Sequence, residues 1–279
     1  MRDSSPVVRL SGATAAGALG QSARGLAASL TPLLDDADAS VRAAALRAAG
    51  AVGGDDPALA KRLVARLDDP ATRSAALDAL AKTGADTATS AKLLELYPKS
   101  AKPDRLAILT ALGAAASPES ANLIAVAAKD SDAEIRIAAL RAGVRVHPSA
   151  KASLPALTDA LHDSQVSVRR TAAELLGQLG DKETDKVVPA LSTLVGLLAS
   201  NEDRTFALDA LRAAHVRDPA VLEQALAIPS VEARAWACER IAKLGSKGRP
   251  FVEKLKPLLA DGNDYVRRAA RKALDQIGK

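Results

Sequence analysis

The sequence predicts an all-α fold, an α-α superhelical solenoid of about eight to nine helix pairs. Three observations lead there. An Arg recurs at Arg9, Arg42, Arg73, Arg105, Arg136, Arg169, Arg204, Arg234 and Arg267, with spacings of 33, 31, 32, 31, 33, 35, 30 and 33 residues. A period in the low thirties held from end to end belongs to stacked units that bury their faces against their neighbours. Hydrophobic residues make up 48% of the chain and aromatic residues 2%, so the core is built from Ala, Leu and Val. That suits closely packed helices and not sheets, which favour aromatic and β-branched side chains. Each Arg also opens the same phrase: in Asp163–Gly180, Val168, Ala172, Leu176 and Leu179 share one helical face, with an Asp before and a Gly after.

Taken in order, each unit has a first helix and a second helix that carries the Arg. The first helices are expected at Ala23–Leu34, Pro57–Leu67, Thr87–Tyr97, Pro118–Ala128, Ala150–Leu161, Glu183–Leu198, Pro219–Ala227 and Gly248–Ala260. Pro57, Pro118 and Pro219 suit first-turn positions, where the missing N–H is not needed. The stretches Gly53–Asp56 and Gly245–Gly248 read as turns between units.

The second helices are read column by column from the Arg. Three residues on stand Gly12, Ala45, Ala76, Ile108, Ala139, Ala172, Ala207, Ala237 and Ala270. Seven on, the column is Ala16, Ala49, Leu80, Leu112, Gly143, Leu176, Leu211, Ile241 and Leu274. At about 100° per residue these columns share one arc, and their small members let helices approach closely. Five on, Thr14, Arg47, Asp78, Thr110, Arg141, Glu174, Asp209, Glu239 and Lys272 are polar in every unit, which marks the solvated face. Eleven on, Gly20, Gly53, Gly84, Gly180, Gly245 and Gly278 occupy the left-handed C-cap slot, with Ala116, His147 and His215 in the other three units.

Upstream of the Arg, Asp3, Asp36, Asp130, Asp163 and Asp261 stand six residues away and Asp68 five, with Asp38, Asp69 and Asp132 closer. These fit turn and N-cap positions. An Arg on the apolar side of a helix needs an acceptor, because an unpaired buried charge is costly. The expected acceptor is the turn Asp or a carbonyl of the adjoining unit, so the nine Arg form a structural ladder whose role is register. In the fourth and seventh units the residue before the Arg is Asp104 or Asp203, which predicts helices that start late and a local change of curvature.

Composition narrows function. No run of about 18 apolar residues exists, so no helix spans a membrane. Met1 is followed at once by a second helix, and the expectation is one solenoid over residues 1–279 with an incomplete first repeat, cut from a longer array or starting on a bare half-repeat. The compartment stays open, with a lean toward the cytoplasm. The single Cys, Cys238, excludes a disulfide framework and a Cys-based metal site, and its place on the inner arc predicts a buried, inert thiol. Formal charge is +5 overall. The segment from Arg234 to Lys279 holds twelve Lys/Arg and five Asp/Glu, net +7, and the rest of the chain is net −2.

The pattern L-x-x-L-L-x-D-x-D-x-x-V-R-x-x-A-A-x-A-L-G-x-L-G, seen best in Leu30–Gly53 and Leu255–Gly278, resembles the HEAT-repeat family, in particular its bacterial branch similar to phycobilisome-lyase repeats. That resemblance implies a fold and leaves function open among scaffolds, bilin lyases, hydroxylases, DNA glycosylases and transport receptors. The hydroxylase branch carries paired His-Glu motifs for two irons, whereas His147, His162 and His215 are not followed by Glu. The glycosylase branch uses an aromatic cleft, and the chain has only Trp236, Phe206, Phe251, Tyr97 and Tyr265. Nothing marks a chromophore pocket, and no metal or cofactor is called for.

The function expected is therefore that of a non-enzymatic scaffold binding another protein along the surface of the second helices, as a monomer or as part of a larger chain or complex. The resemblance supplies that orientation and the polar column supports it. Two residues after the Arg, only the seventh and eighth units carry large rings, Phe206 and Trp236, and Arg240 interrupts an Ala column one turn further. Either these side chains form an exposed patch of hot-spot composition, or the rings fill a groove after the irregular seventh unit. Lys243, Arg268 and Lys272 lie near the solvated face beside them, as helpers of such a patch or as the polar surface of a terminal unit. The alternatives are binding of a nucleic-acid phosphate backbone by the basic C-terminal units and a bilin lyase-like accessory role.

Overall fold

The computed structural model describes residues 2–53, 57–84, 87–146 and 150–278. Among them there are helices and no strand. They fall into two compact units, Met1–His147 and Pro148–Lys279. The first contains α1 (Pro6–Leu19), α2 (Ala27–Leu30), α3 (Ala39–Val52), α4 (Pro57–Ala65), α5 (Arg73–Thr83), α6 (Thr87–Leu96), α7 (Lys102–Ala115), α8 (Ala121–Ala127) and α9 (Ala133–Val146). The odd-numbered members are the second helices, and they stack α1 on α3, α3 on α5, α5 on α7 and α7 on α9. The second unit contains α10 (Ala150–Ala160), α11 (Val166–Leu197), α12 (Arg204–Ala213), α13 (Pro219–Ala227), α14 (Val231–Ala242), α15 (Val252–Leu255) and α16 (Asp264–Ile277). Here α11, α12, α14 and α16 carry the Arg, and α14 packs on α16.

Local chemistry sets the helix starts. Asp38 accepts from Ser40 N and Val41 N at 2.8 and 3.1 Å to cap α3, Asp218 caps α13 through Ala220 N and Val221 N, and Asn263 caps α16 through Tyr265 N. Each cap satisfies backbone N–H groups that have no carbonyl inside the helix. The apolar arc is buried as its columns require: Val41, Ala45, Leu46, Leu77, Leu80, Leu109 and Leu112 are fully enclosed in the first unit, and Leu176, Ala207, Leu211, Ala237 and Ile241 in the second.

The structure departs from the expected elements at four places. The segments expected as first helices Ala23–Leu34 and Gly248–Ala260 are mixtures of 3-10 and short α turns, Gly20–Leu26 and Thr31–Asp35 around α2, and Gly245–Phe251 and Lys256–Ala260 around α15. Pro32, Pro250 and Pro257 lack the N–H that a regular helix would use there. The helix of the fourth unit does not start late: α7 begins at Lys102, three residues before its Arg. Pro103, whose φ is already helical, holds its first turn. The seventh does start at its Arg, as α12. Finally, Gly180 is no left-handed cap. It lies within the bounds of α11, which takes in both the sixth second helix and the stretch expected as the next first helix.

That element is not a straight rod. A Cβ built on Gly180 would sit 3.4 Å from Val187 Cγ2 and 2.5 Å from Ala214 Cβ. Seven residues of straight helix rise about 10 Å, so Gly180 and Val187 stand closer than a straight helix would place them. Gly278 is not left-handed either, at φ −77°, but the slot eleven after the Arg has positive φ at Gly20, Gly53, Gly84 and Gly245 and also where the side chain is Ala116 (φ 50°) or His215 (φ 49°). His147 and the turn residues Gly54, Asp55 and Asp56 lie outside the described residues.

The recurrent Arg bridge successive layers. Arg9 donates Nε and Nη2 to Asp36 at 2.7 and 2.9 Å, Arg42 reaches Asp69 at 3.3 Å, and Arg73 reaches Asp104 at 3.7 Å. In the second unit Arg169 holds Asp203 through Nε and Nη2 at 3.0 and 2.8 Å, and Arg234 holds Asp261 at 2.8 and 3.2 Å. Each of these acids belongs to the following layer. The carbonyl acceptors come instead from the Arg's own turn, six residues upstream, as in Arg42 to Asp36 O and Arg267 to Asp261 O. One guanidinium fork thereby fixes both the turn below its helix and the next layer's turn.

These rungs carry a pH dependence. The Arg9 fork holds the Asp36 carboxyl below its ordinary range, the Ala71 N–H does the same for Asp69, and the Arg234 fork does so for Asp261. A carboxyl whose folded pKa lies below its unfolded value of about 3.9 stabilises the fold fully above that value and loses the contribution as pH falls through the folded pKa. The melting temperature is accordingly expected to stay level from neutral pH down to about 5 and to fall steeply below about 4, read by circular dichroism against temperature.

A further device sits eight residues after the Arg. A Cβ placed on Gly17, Gly50, Gly113 or Gly177 would stand 3.3, 2.5, 2.9 or 3.1 Å from the Cα of Ala48, Ala79, Ala142 or Ala210 of the next second helix. Backbone meets backbone there, and glycine is what permits it.

Candidate functional site

The aromatic residues singled out from the sequence are buried. Phe206 is 7% exposed and Trp236 2%, so of the two readings the rings fill a groove, and Phe206 and Trp236 are not an exposed contact patch. Their column lies at the inner edge of the arc, so the larger side chains fill the seam where other units place Ala. Arg170 stands over the Phe206 ring, 5.8 Å from its centre. Arg240 points inward as well, with Nε and Nη2 donating to Val216 O at 3.1 and 2.9 Å. Burial lowers its pKa, and neighbouring Arg217 pushes the same way. It ties α14 to the turn after α12.

Lys243, Arg268 and Lys272 are exposed and come together. They line an open groove of about 690 Å³ between α14 and α16. Glu239, Ala242 and Lys243 stand five, eight and nine residues after Arg234; Tyr265 stands two before Arg267, and Arg268, Ala269, Lys272 and Gln276 follow it. The floor is small and apolar, because Ala242 occupies the position of closest helix approach and Ala269 is buried. The walls are polar. Tyr265 is 48% exposed and donates its hydroxyl to Glu239 Oε1 at 2.5 Å, a bond that raises its pKa. Arg268 pairs with Asp264 at 3.0 Å. Among the described residues Lys243 and Lys272 have no carboxylate within ion-pair distance.

Some of the remaining basic side chains of this end face carboxylates. Lys254 forms an ion pair with Glu223, Lys256 with Glu253 at 2.6 Å and Arg267 with Asp264 at 3.1 Å. Tyr265 was not among the residues picked out as contacts. Its signal lies in the column two before the Arg, which reads Val7, Ser40, Ala71, Pro103, Glu134, Ser167, Glu202, Glu232 and Tyr265 and carries a ring only at the last position.

The same register makes a groove in the first unit. Between α7 and α9, Thr110 and Gly113 face Glu134, Ile137, Arg141 and Arg145 around about 420 Å³. Here Glu134 is drawn to Lys102 at 3.0 Å.

The rest of the described surface offers little chemistry. No group of three or more His, Cys, Asp or Glu among the described residues has metal-binding geometry. Cys238 is fully buried, and desolvation pushes its pKa up to about 12, so the thiol stays protonated and unreactive. No helix among the described residues is long and apolar enough to cross a membrane.

A family profile for HEAT repeats matches residues 27–113 and 121–215. No curated protein matches the sequence. Among solved structures, the chain is similar to one in which Kap95p binding induces the switch loops of RanGDP to adopt the GTP-bound conformation, at 15% identity and a TM-score of 0.59 over 91% of this chain and 40% of that one. It is also similar to a homology model of the full-length AP-3 complex in an intermediate open conformation, at 14% identity and a TM-score of 0.53 over 96% of this chain and 54% of that one. The chain thus spans about half or less of the length of these two. At such identities the likeness is one of fold.

Proposed function

The chain belongs to the HEAT-repeat family, and on that premise we propose that it is a non-enzymatic scaffold whose protein partner docks on the face of the second helices, with the groove between α14 and α16 as a main contact. The observation that carries this reading is the composition of that groove. An exposed Tyr, an Ala floor and two Lys with no carboxylate partner among the described residues stand together, whereas Phe206, Trp236 and Phe251 are buried and Arg240 turns inward to Val216 O. Interfaces favour such a mixture of ring, apolar floor and polar rim. Kap95p with RanGDP and the AP-3 complex are protein assemblies built on a similar fold, which supports the same class of partner. A phosphate-backbone reading draws on the basic C-terminal end, where Lys254, Lys256, Arg267 and Arg268 already face carboxylates and Glu239 stands among the groove's cations.

The test is a photo-reactive side chain at Gln276, beside the groove, compared with one at Lys61 on first helix α4. Capture of one discrete protein from Gln276 and not from Lys61 is the expected result. Equal capture from both positions, or transfer to RNA or DNA instead, would overturn the reading.

A further inference from the structure

We propose that the α14–α16 groove recognises an acidic peptide segment with an apolar side chain at its centre; the proposal rests on the groove being the docking site and names the chemistry it selects. The argument begins with the placement of charge. Lys243 stands on the α14 wall, and Arg268 and Lys272 stand on the α16 wall. Cations therefore flank both sides of an open groove of about 690 Å³. Lys243 and Lys272 have no carboxylate partner among the described residues, so a ligand carboxylate meets them without displacing an existing ion pair. Arg268 is already held by Asp264 and adds positive potential more than a new contact.

Between the cations the channel is apolar. Ala242 and Ala269 leave room for an incoming side chain, and the Tyr265 ring forms one end. The Tyr265 hydroxyl donates to Glu239 Oε1, which steadies both the ring and the carboxylate. That carboxylate sets the specificity. Glu239 is the one acid among the groove-lining residues, and it sits where a continuous polyanion would have to place one of its regularly spaced charges. A nucleic-acid backbone or an anionic lipid surface meets repulsion there. A peptide does not, because it can set an apolar or hydroxyl side chain opposite Glu239 and keep its carboxylates for the flanking Lys.

The experiment uses the intact chain and fluorescence anisotropy at physiological salt. The probe is a fluorescein-labelled peptide with Glu and Asp on either side of a Leu-Phe pair. Its controls are the Gln/Asn isostere of that peptide, an oligo(dT) of the same formal charge and phosphatidylserine vesicles. The acidic peptide is expected to bind at least tenfold more tightly than its neutral isostere and to resist displacement by oligo(dT) or vesicles. Joint Lys243→Glu and Lys272→Glu substitution is expected to weaken it at least tenfold, Tyr265→Ala severalfold, and Lys61→Glu not at all. Circular dichroism of each variant reports whether it is folded.

Equal binding of the two peptides, indifference to the charge reversal in a folded variant, or preference for oligo(dT) or vesicles each overturns the proposal. Its failure is separable from failure of the docking reading. If the peptide does not bind while the photo-reactive group at Gln276 still captures a discrete protein, only the acidic chemistry is wrong. If both fail, the groove is not the docking site.

Discussion

Replacing Gly50 with Ala is expected to destabilise the first unit by roughly 2 kcal/mol, although the same change in an ordinary helix interior stabilises by about 1 kcal/mol. Gly50 lies inside α3, and its added Cβ would stand 2.5 Å from Ala79 Cα, 2.8 Å from Ala79 Cβ and 3.2 Å from Ala79 O. No rotamer change relieves that crowding, because the obstacles are the backbone and Cβ of α5. Two helices that bury Ala45, Leu46, Ala76 and Leu77 completely would have to separate, and overpacking of a dense core costs on the order of 1–3 kcal/mol. Gly196 provides the opposite sign. It lies in α11 with nothing within 4 Å of its added Cβ, so Gly196→Ala should stabilise by about 0.5–1 kcal/mol through backbone entropy. Urea unfolding followed by circular dichroism measures both.

Replacing Arg234 with Ala is expected to remove about 3 kcal/mol from the second unit, the range of losses seen when one partner of an enclosed ion pair is deleted. The side chain makes a two-bonded fork with Asp261 and a third bond to Ile228 O. Asp261 is only 8% exposed in its side chain, and without the fork it keeps one backbone donor, Asn263 N. Its carboxyl pKa should then rise, because the Arg234 hydrogen bond is the largest cause of its depression. Lys in place of Arg234 should restore little, since an ammonium cannot span both carboxylate oxygens and the carbonyl as the planar fork does. Denaturant titration, with the carboxyl of Asp261 followed by NMR, reads both effects.

The repeat and its seams were legible in the sequence because they are written many times. One Arg every thirty-odd residues, mostly Ala three positions on, apolar residues seven on, and an Asp just upstream recur often enough that periodicity alone identifies layers. The acceptors of Arg9, Arg42 and Arg234 follow from the upstream Asp of the next layer, whereas Asp203, which meets Arg169, stands directly before its own Arg. The glycines at the closest helix contacts were equally available, eight residues after the Arg, as Gly17, Gly50, Gly113 and Gly177.

What occurs once was harder to read. Phe206 and Trp236 sit at the boundary between the buried and solvated arcs, where a few degrees of helix rotation decide exposure, and their bulk places them inside. Arg240 follows them inward because Val216 O, in a turn left-handed at His215, offers an acceptor that no column shows. The close approach of Gly180 to Ala214 and Val187 is likewise a property of packing. Lys243, Arg268 and Lys272 were found because they lie well within the solvated arc. Tyr265 was missed because its column two residues before the Arg is otherwise made of small or polar residues.

The most direct measurement is thermal unfolding of two variants beside the parent chain: Arg234→Ala, and Lys243→Glu combined with Lys272→Glu. Inward side chains weld the layers and groove side chains stay free for a partner, so the paired charge reversal should melt within about 2 °C of the parent, and Arg234→Ala should melt about 6 °C or more below it. A charge reversal that unfolds as readily as Arg234→Ala, or an Arg234→Ala that melts like the parent, would contradict that division between seam and surface.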